Sequence, residues 1–198
     1  MTNPLLSDWD TPFGLPPFAS IADTDFAPAF DAAMIEDLAE VAAIADNPAS
    51  PTFANTIEAL EGSGARLDQA ASVFFNLVGA DTNEARQKLQ RDYASKFADH
   101  ATAIYANRTL FQRIQTLWDQ RDDLGLSEQE ARVLMLTHRG FVRAGAALTG
   151  QAATRMAEIK ARLATLGADF TQNMLADEAD WFMELTESDL DGLPGFVV

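Results

Sequence analysis

The sequence has no cysteine and only two histidines, His100 and His138, so it is poor in the side chains that catalyse reactions or bind metals. Without cysteine it can form no disulfide framework, thiol nucleophile or thiolate zinc site. Basic residues are scarce too, since 14 Lys and Arg stand against 30 Asp and Glu and give a formal net charge of −16. A surface this acidic repels phosphate backbones and anionic lipid headgroups, so we expect neither nucleic acid nor a membrane as a partner.

Long apolar runs and targeting signals are absent as well. The longest apolar run, residues 70–80, is interrupted by Ser72 and Asn76, and it is much shorter than the roughly 20 residues that cross a bilayer. The first residues lack the basic and apolar regions of a secretory signal. Together with an apolar fraction of 47% over 198 residues, these absences predict a globular cytoplasmic protein.

Apolar residues recur every three or four positions in six segments, which predicts an all-α bundle of about six amphipathic helices. The first helix is expected from Asp25, with Pro28 in its first turn, and it should stop before Asn47 and Pro48. The second segment, residues 53–78, has a sustained heptad spacing and predicts the second helix. Four further helices are predicted around residues 85–104, 110–118, 128–148 and 152–174, and Ser127 with Glu130 forms a capping box ahead of the third of these.

Two glycines, Gly62 and Gly64, interrupt the second segment. Each costs about 1 kcal/mol relative to alanine in a helix interior, so a close helix crossing or a local kink should offset this cost. We expect a neighbouring helix to lie tight against this turn. The core is predicted to form between the seam at 53–78 and the stripe at 156–174, with Leu67 and Leu163 at its centre.

Three regions follow from these patterns. Residues 1–24 hold four of the eight prolines and predict an extended arm laid over a surface. Residues 25–178 form the helical domain, and residues 179–198 form a strand or turn segment. The aromatic-rich stretch at 181–185 leaves one short strand open near the end of the chain.

The polar residues that could carry chemistry all have a simpler structural interpretation. His100 and His138 fall on or beside apolar stripes, which is typical of structural histidines. Neither has a second histidine four residues later, and Phe97 and Met135 occupy the positions where a Glu-x-x-His motif needs glutamate.

The other candidate motifs are equally unspecific. The acidic clusters at 122–123 and 177–180 lack the spacing of a calcium loop, and Gly62-Ser63-Gly64 lacks the features of a phosphate-binding loop. The aromatic pairs at 74–75 and 181–182 are more typical of a core or an interface than of a ligand site. The residues therefore assign no nucleophile, base or metal ligand.

Several blocks of the sequence nevertheless resemble the amino-terminal part of the thimet oligopeptidase family of zinc metallopeptidases, in its peptidyl-dipeptidase and oligopeptidase A branch. The blocks occur in the same order across nearly the whole chain, at residues 3–6, 12–18, 26–30, 51–64, 74–77, 128–132 and 141–148.

The resemblance implies a large helical peptidase whose two halves flank a deep channel. In this family the zinc motif His-Glu-x-x-His lies later in the chain, so no catalytic, cofactor-binding or metal residue carries over to the present sequence. The chain is then expected to be an inactive, non-catalytic part of the channel wall, followed by a catalytic region that binds zinc and cleaves short peptides.

The net charge and the apolar end of the chain lead to two further expectations. A stand-alone acidic helical module that binds a basic partner protein is the alternative function, and it rests on the net charge alone. The isolated chain is expected to form a twofold dimer, because the apolar residues near its end need cover. These residues are Trp181, Phe182, Leu193, Phe196 and Val197.

Overall fold

A computed structural model describes residues 3–194 and residue 196, and the architecture of this part is all-α. The chain forms two compact units, Met1–Ala147 and Leu148–Val198. Six helices are longer than ten residues: α1 Asp23–Ala45, α2 Ala65–Ala80, α3 Glu84–Tyr105, α4 Arg108–Asp119, α5 Glu128–Ala144 and α6 Gly150–Asp180. None of the described helices is both long and apolar enough to cross a membrane.

Helix α1 begins two residues earlier than the sequence predicts. Its first turn is closed by the Asp25 carboxylate, which accepts a hydrogen bond from the Ala22 N–H at 2.8 Å. Pro28 therefore lies in the second turn rather than the first. The helix ends at Ala45, just before Asn47 and Pro48, as expected.

The second predicted helix, at residues 53–78, is broken at its two glycines. A π-helical segment, Phe53–Glu58, passes into a short α-helical turn, Ala59–Glu61, and α2 begins only at Ala65. Gly64 adopts a left-handed conformation with φ of 71°, which ends the helical hydrogen-bond ladder. The heptad spacing continues across the break, so periodicity alone does not reveal it.

Local capping signals fix most of the other helix ends. The Ser127 and Glu130 capping box at the start of α5 is confirmed, with the Ser127 N–H donating to the Glu130 carboxylate at 2.8 Å. Asn83 caps α3, and α5 ends at Ala144, where the next residue, Gly145, has φ of 97°. The predicted end of that helix, at residues 149–150, was too late.

The first unit contains two apolar cores. One is aromatic and lies between α1, α2 and α3, where the Phe30 and Phe74 rings stand edge to face at 5.3 Å. The other joins the end of α1 to the π-helical segment, α4 and α5, with Ile57, Leu117 and Leu134 fully buried. Leu67 is 8% exposed, so its predicted place in the core is confirmed.

The second unit contains α6 and a short 3₁₀ turn, Glu187–Leu190. Leu163 is 62% exposed on α6, so its predicted place in the core is wrong. A helical period identifies an apolar face but not the surface that covers it. The strand left open at 181–185 is also not found, because a strand needs a partner for its hydrogen bonds and the described residues offer none.

Candidate functional site

The most buried polar pair of the first unit joins α3 to α1. His100 on α3 places its Nε2 atom 3.2 Å from Oδ2 of Asp37 on α1, and both side chains are buried. The contact is within ion-pair distance but lacks hydrogen-bond alignment, since His100 Nε2 and Asp37 Oδ1 have no hydrogen-bond partner in the described structure. The histidine thus occupies the structural position that its apolar stripe predicts.

The surroundings of Asp37 disfavour its charged form. Burial raises the pKa of the Asp37 carboxyl above its ordinary value, and the nearby carboxylates of Glu40 and Asp68 raise it further. His100 and the Ser63 hydroxyl act in the opposite direction without cancelling the rise. Asp37 is therefore held at a site where ionisation is costly.

The glycine turn explains how this pair is enclosed. The Gly64 N–H donates to a carboxylate oxygen of Glu40 at 2.9 Å. A Cβ atom at Gly64 would stand 3.0 Å from Cγ of Asp37, so the backbone and the carboxylate are already in contact. The expectation that a helix lies tight against this turn is confirmed, and the helix is α1.

Ser63, His100 and Asp37 do not form a catalytic relay. The Ser63 hydroxyl donates to the Leu60 carbonyl at 2.9 Å. A serine nucleophile needs its proton directed at the histidine, with the carboxylate behind the imidazole. The pair is therefore a buried link between helices and not a hydrolytic site.

The second histidine belongs to a stack of rings. His138 lies parallel to Trp118 at 4.6 Å between ring centroids, and the Arg121 guanidinium lies over the same indole at 4.6 Å. The His138 Nε2 atom is 2.9 Å from the Gln115 Oε1 atom. Burial lowers the pKa of the His138 imidazole, so the neutral ring is favoured. The indole is therefore engaged by both the imidazole and the guanidinium, and it remains half-buried.

The remaining sequence candidates are scattered. Phe74 is buried in the aromatic core, whereas Trp181 and Phe182 are exposed in the second unit. Asp122 and Asp123 are exposed on a loop of the first unit. Among the described residues, no group of three His, Cys, Asp or Glu side chains could hold a metal ion.

A buried arginine on α4, Arg113, was not predicted from the sequence. Arg113 donates to the backbone carbonyls of Asn47 and Ala49 at 2.8 and 3.0 Å, and to Oδ1 of Asn55 at 2.9 Å. These bonds tie α4 to the connection after α1. The signal was present in the sequence, because Arg113 stands between Leu110 and Leu117 on the apolar stripe of α4.

An acidic groove of about 710 Å³ was also not predicted from the sequence. Phe53 and Val133 contribute apolar surface, and the exposed carboxylates of Glu58, Glu61 and Glu128 contribute negative charge. Arg132 is the basic side chain in its lining. The first turn of α5, which the capping box begins, contributes Glu128, Gln129 and Glu130 to the lining.

Comparison with known proteins gives relatives among the peptidases. The chain is 39% identical to dipeptidyl carboxypeptidase of Salmonella typhimurium over 175 residues, which are 88% of the chain and 26% of that protein. It is 40% identical to dipeptidyl carboxypeptidase of Escherichia coli over 174 residues, again 88% of the chain and 26% of that protein. Oligopeptidase A of Salmonella typhimurium is 25% identical over 195 residues, 98% of the chain and 28% of that protein.

These relatives confirm the resemblance found in the sequence. The chain spans about a quarter of the length of the curated relatives that it matches. No family model matches the sequence.

Proposed function

We propose, from its likeness to dipeptidyl carboxypeptidase and oligopeptidase A, that this chain is the amino-terminal, non-catalytic helical part of a zinc-dependent peptidase. The observation that carries the proposal is about 40% identity over 88% of the chain but only 26% of the relative. The match covers most of this chain but only about a quarter of the relative, as expected if the chain corresponds to one region of a larger enzyme. The catalytic region is then a separate part of the longer polypeptide.

Zinc does not fit the side chains of this region. His100 faces Asp37 in one core, and His138 is stacked on Trp118 in another part of the unit. A catalytic zinc needs three protein ligands around one point, and the described residues bring no such set together. We therefore assign the metal, and the groups that activate water, to the part of the enzyme outside this chain.

The role that remains for this region is structural. The two cores of the first unit pack its helices together, and Arg113 ties α4 to the connection after α1. Such a packed unit can serve as one wall of the substrate channel. A narrow channel admits short peptides and excludes folded proteins, and movement of one wall can close the site over a bound peptide.

The substrates, partners and location belong to the same proposal. Short peptides are the expected substrates of the parent enzyme, which we place in the cytoplasm. The chain should bind its catalytic region and neither nucleic acid nor a membrane, given its net charge of −16. Without that region, the chain is expected to self-associate as a dimer.

The test compares the isolated chain with the longer polypeptide. The longer polypeptide should release dipeptides or other short fragments from synthetic peptides and should contain one zinc per molecule. The isolated chain should hydrolyse none of these peptides and retain no stoichiometric zinc after dialysis. Zinc that stays bound to the isolated chain, and is lost in His100→Ala or His138→Ala, would contradict the proposal.

The acidic groove supports one alternative, a stand-alone module that binds a basic partner protein. Its exposed Glu58, Glu61 and Glu128 carboxylates beside apolar surface suit a segment with Lys or Arg next to an apolar anchor. The reading frame separates the two functions. Continuation into several hundred residues with a His-Glu-x-x-His motif supports the peptidase, whereas a stop codon after Val198 favours the module.

A further inference from the structure

The tip of the amino-terminal arm combines two unfavourable features at one residue. Phe13 has φ of 62°, and no other non-glycine residue of the described chain has a positive φ. Its side chain is also 99% exposed. A bulky residue in the left-handed region is strained, and an exposed phenyl ring gains nothing from burial. Neither feature stabilises the chain as it stands.

The strained turn is nevertheless well defined. The Gly14 N–H donates to the Thr11 carbonyl at 3.0 Å, the Leu15 N–H donates to the Pro12 carbonyl at 3.4 Å, and the Thr11 hydroxyl donates to the Leu15 carbonyl. Pro12, Pro16 and Pro17 restrict the backbone on both sides. The ring is therefore presented by a rigid loop, which lowers the entropy lost when it binds.

The base of the arm holds this loop in a fixed place. Leu5 is fully buried in the aromatic core. Gln69 on α2 donates to the carbonyls of Leu5 and Ser7 at 3.0 and 3.1 Å, and the Trp9 indole donates to the Pro4 carbonyl at 2.9 Å. The arm thus packs firmly on its own unit at residues 4–9, while its tip directs an aromatic ring to the outside.

We propose that Phe13 is an anchor that inserts into an apolar pocket on the catalytic region of the longer polypeptide. The inference rests on the proposed function and adds a contact between the two regions. Burial of the ring in such a pocket would offset the strain of the turn. Leu15 and Phe18, which are also exposed, would border the pocket.

The apolar area at the tip of the arm favours a pocket on the same polypeptide over a pocket on a separate protein. A buried aromatic side chain removes about 150–250 Å² from water, whereas a stable interface between separate proteins buries about 1,200–2,000 Å². Three exposed side chains are too few for the second case. They are sufficient within one polypeptide, where the connecting chain keeps the pocket at a high effective concentration.

The test measures one substitution in two contexts. Phe13→Asn relieves the strain, because asparagine tolerates the left-handed region, and it removes the ring. In the isolated chain we expect the melting temperature to rise by about 2–4 °C, since strain is lost and no packing is lost. In the longer polypeptide the same substitution should lower the melting temperature, because the anchor is lost. Phe13→Gly should likewise raise the melting temperature of the isolated chain and lower that of the longer polypeptide.

The outcomes separate the inference from the proposed function. A lower melting temperature for both variants in the isolated chain, or no decrease in an active longer polypeptide, would overturn the anchor and leave the peptidase proposal intact. If the isolated Phe13→Asn chain no longer self-associates, the pocket for Phe13 lies on a second copy of this chain. That result would also overturn the proposed contact with the catalytic region. A longer polypeptide without peptidase activity would overturn the proposed function, and the anchor with it.

Discussion

Gly64 shows how a single missing side chain permits the α1–α2 crossing. Its φ of 71° lies in the left-handed region, which glycine adopts without strain. Its α-carbon also lies so close to Asp37 that an added Cβ would stand 3.0 Å from the carboxylate carbon. Gly125 has a similar φ of 64° but open space around it. The two glycines therefore separate the cost of backbone strain from the cost of a steric clash.

Gly64→Ala is expected to destabilise the chain more than Gly125→Ala does. Backbone strain costs about 1–2 kcal/mol at either position, and overpacking against Asp37 adds about 1 kcal/mol or more at Gly64 alone. Urea denaturation of the two variants measures the difference. Equal losses of unfolding free energy would show that the Asp37 carboxylate moves aside without cost.

Asp37 should make stability depend on pH. Its pKa in the folded state is raised above the ordinary value of 3.8, so the folded state holds the proton more tightly than the unfolded state does. The proton on Asp37 therefore stabilises the folded state below pH 3.8. This stabilisation is lost as the pH rises through the folded-state pKa.

The Asp37→Asn variant provides the comparison. From pH 3.8 upward, the unfolding free energy of the wild type should fall relative to that of the variant. Denaturation at a series of pH values up to neutrality measures this difference. A difference that stays constant over the series, or grows in favour of the wild type, would contradict the raised pKa.

At the scale of residues, the sequence predicted local features and missed distant ones. The Ser127 and Glu130 capping box needs only residues three positions apart, and it forms as expected. Arg113 is buried because its partners lie 58 to 66 residues away in the sequence. The spacing along α4 places Arg113 on the apolar face, but it does not identify the distant carbonyl groups that accept its hydrogen bonds.

At the scale of helices, α2 and α6 provide the clearest contrast. Leu67→Ala should cost about 2–5 kcal/mol, because Leu67 is buried and its loss leaves a cavity. Leu163→Ala should change the unfolding free energy of the isolated chain by no more than about 0.5 kcal/mol, because its side chain is already exposed. Chemical denaturation of the two single variants tests both values, and a large loss for Leu163→Ala would show that its apolar stripe is covered in solution.

The helices also show the limit of periodicity. About six helices were expected, and the described residues form six that are longer than ten residues, yet the segment at 53–78 is divided by a turn and α5 ends several residues early. Apolar spacing reports which face a segment buries, and it is unchanged when a glycine turn restarts the helix in register. At these two places a glycine with positive φ, Gly64 or Gly145, sets the helix boundary.

At the scale of the whole molecule, self-association is the main prediction. Trp181, Phe182, Leu193 and Phe196 are exposed, and Val197 lies outside the described residues. Apolar surface of this kind favours an isologous dimer, in which one patch covers its copy. Sedimentation velocity over a range of concentrations should show a dimer, and Trp181→Asp with Phe182→Asp should weaken it at least tenfold.

Gln151→Asp serves as the control for charge, because Gln151 is exposed on α6 in the same unit. It should leave the dimer unchanged. A chain that stays monomeric at the highest concentration would contradict the dimer.

The sequence placed the molecule in its fold class and among its relatives, but it did not yield the groove or the anchor. Blocks of the resemblance are contiguous in sequence and can be read directly. The groove joins residues near 58 to residues near 130, and the exposure of Phe13 depends on the path of the arm. Both depend on tertiary contacts, which spacing along the chain does not encode.

The hydrogen bonds between the arm and α2 also set an order of events during synthesis. Gln69 holds the carbonyls of Leu5 and Ser7 across separations of 64 and 62 residues. At about 5–20 residues per second, the ribosome reaches Gln69 roughly 3–13 s after Leu5. Until then the Leu5 side chain has no α2 to pack against and is open to chaperones. The arm is therefore made before most of this unit and docks only after α2 has emerged.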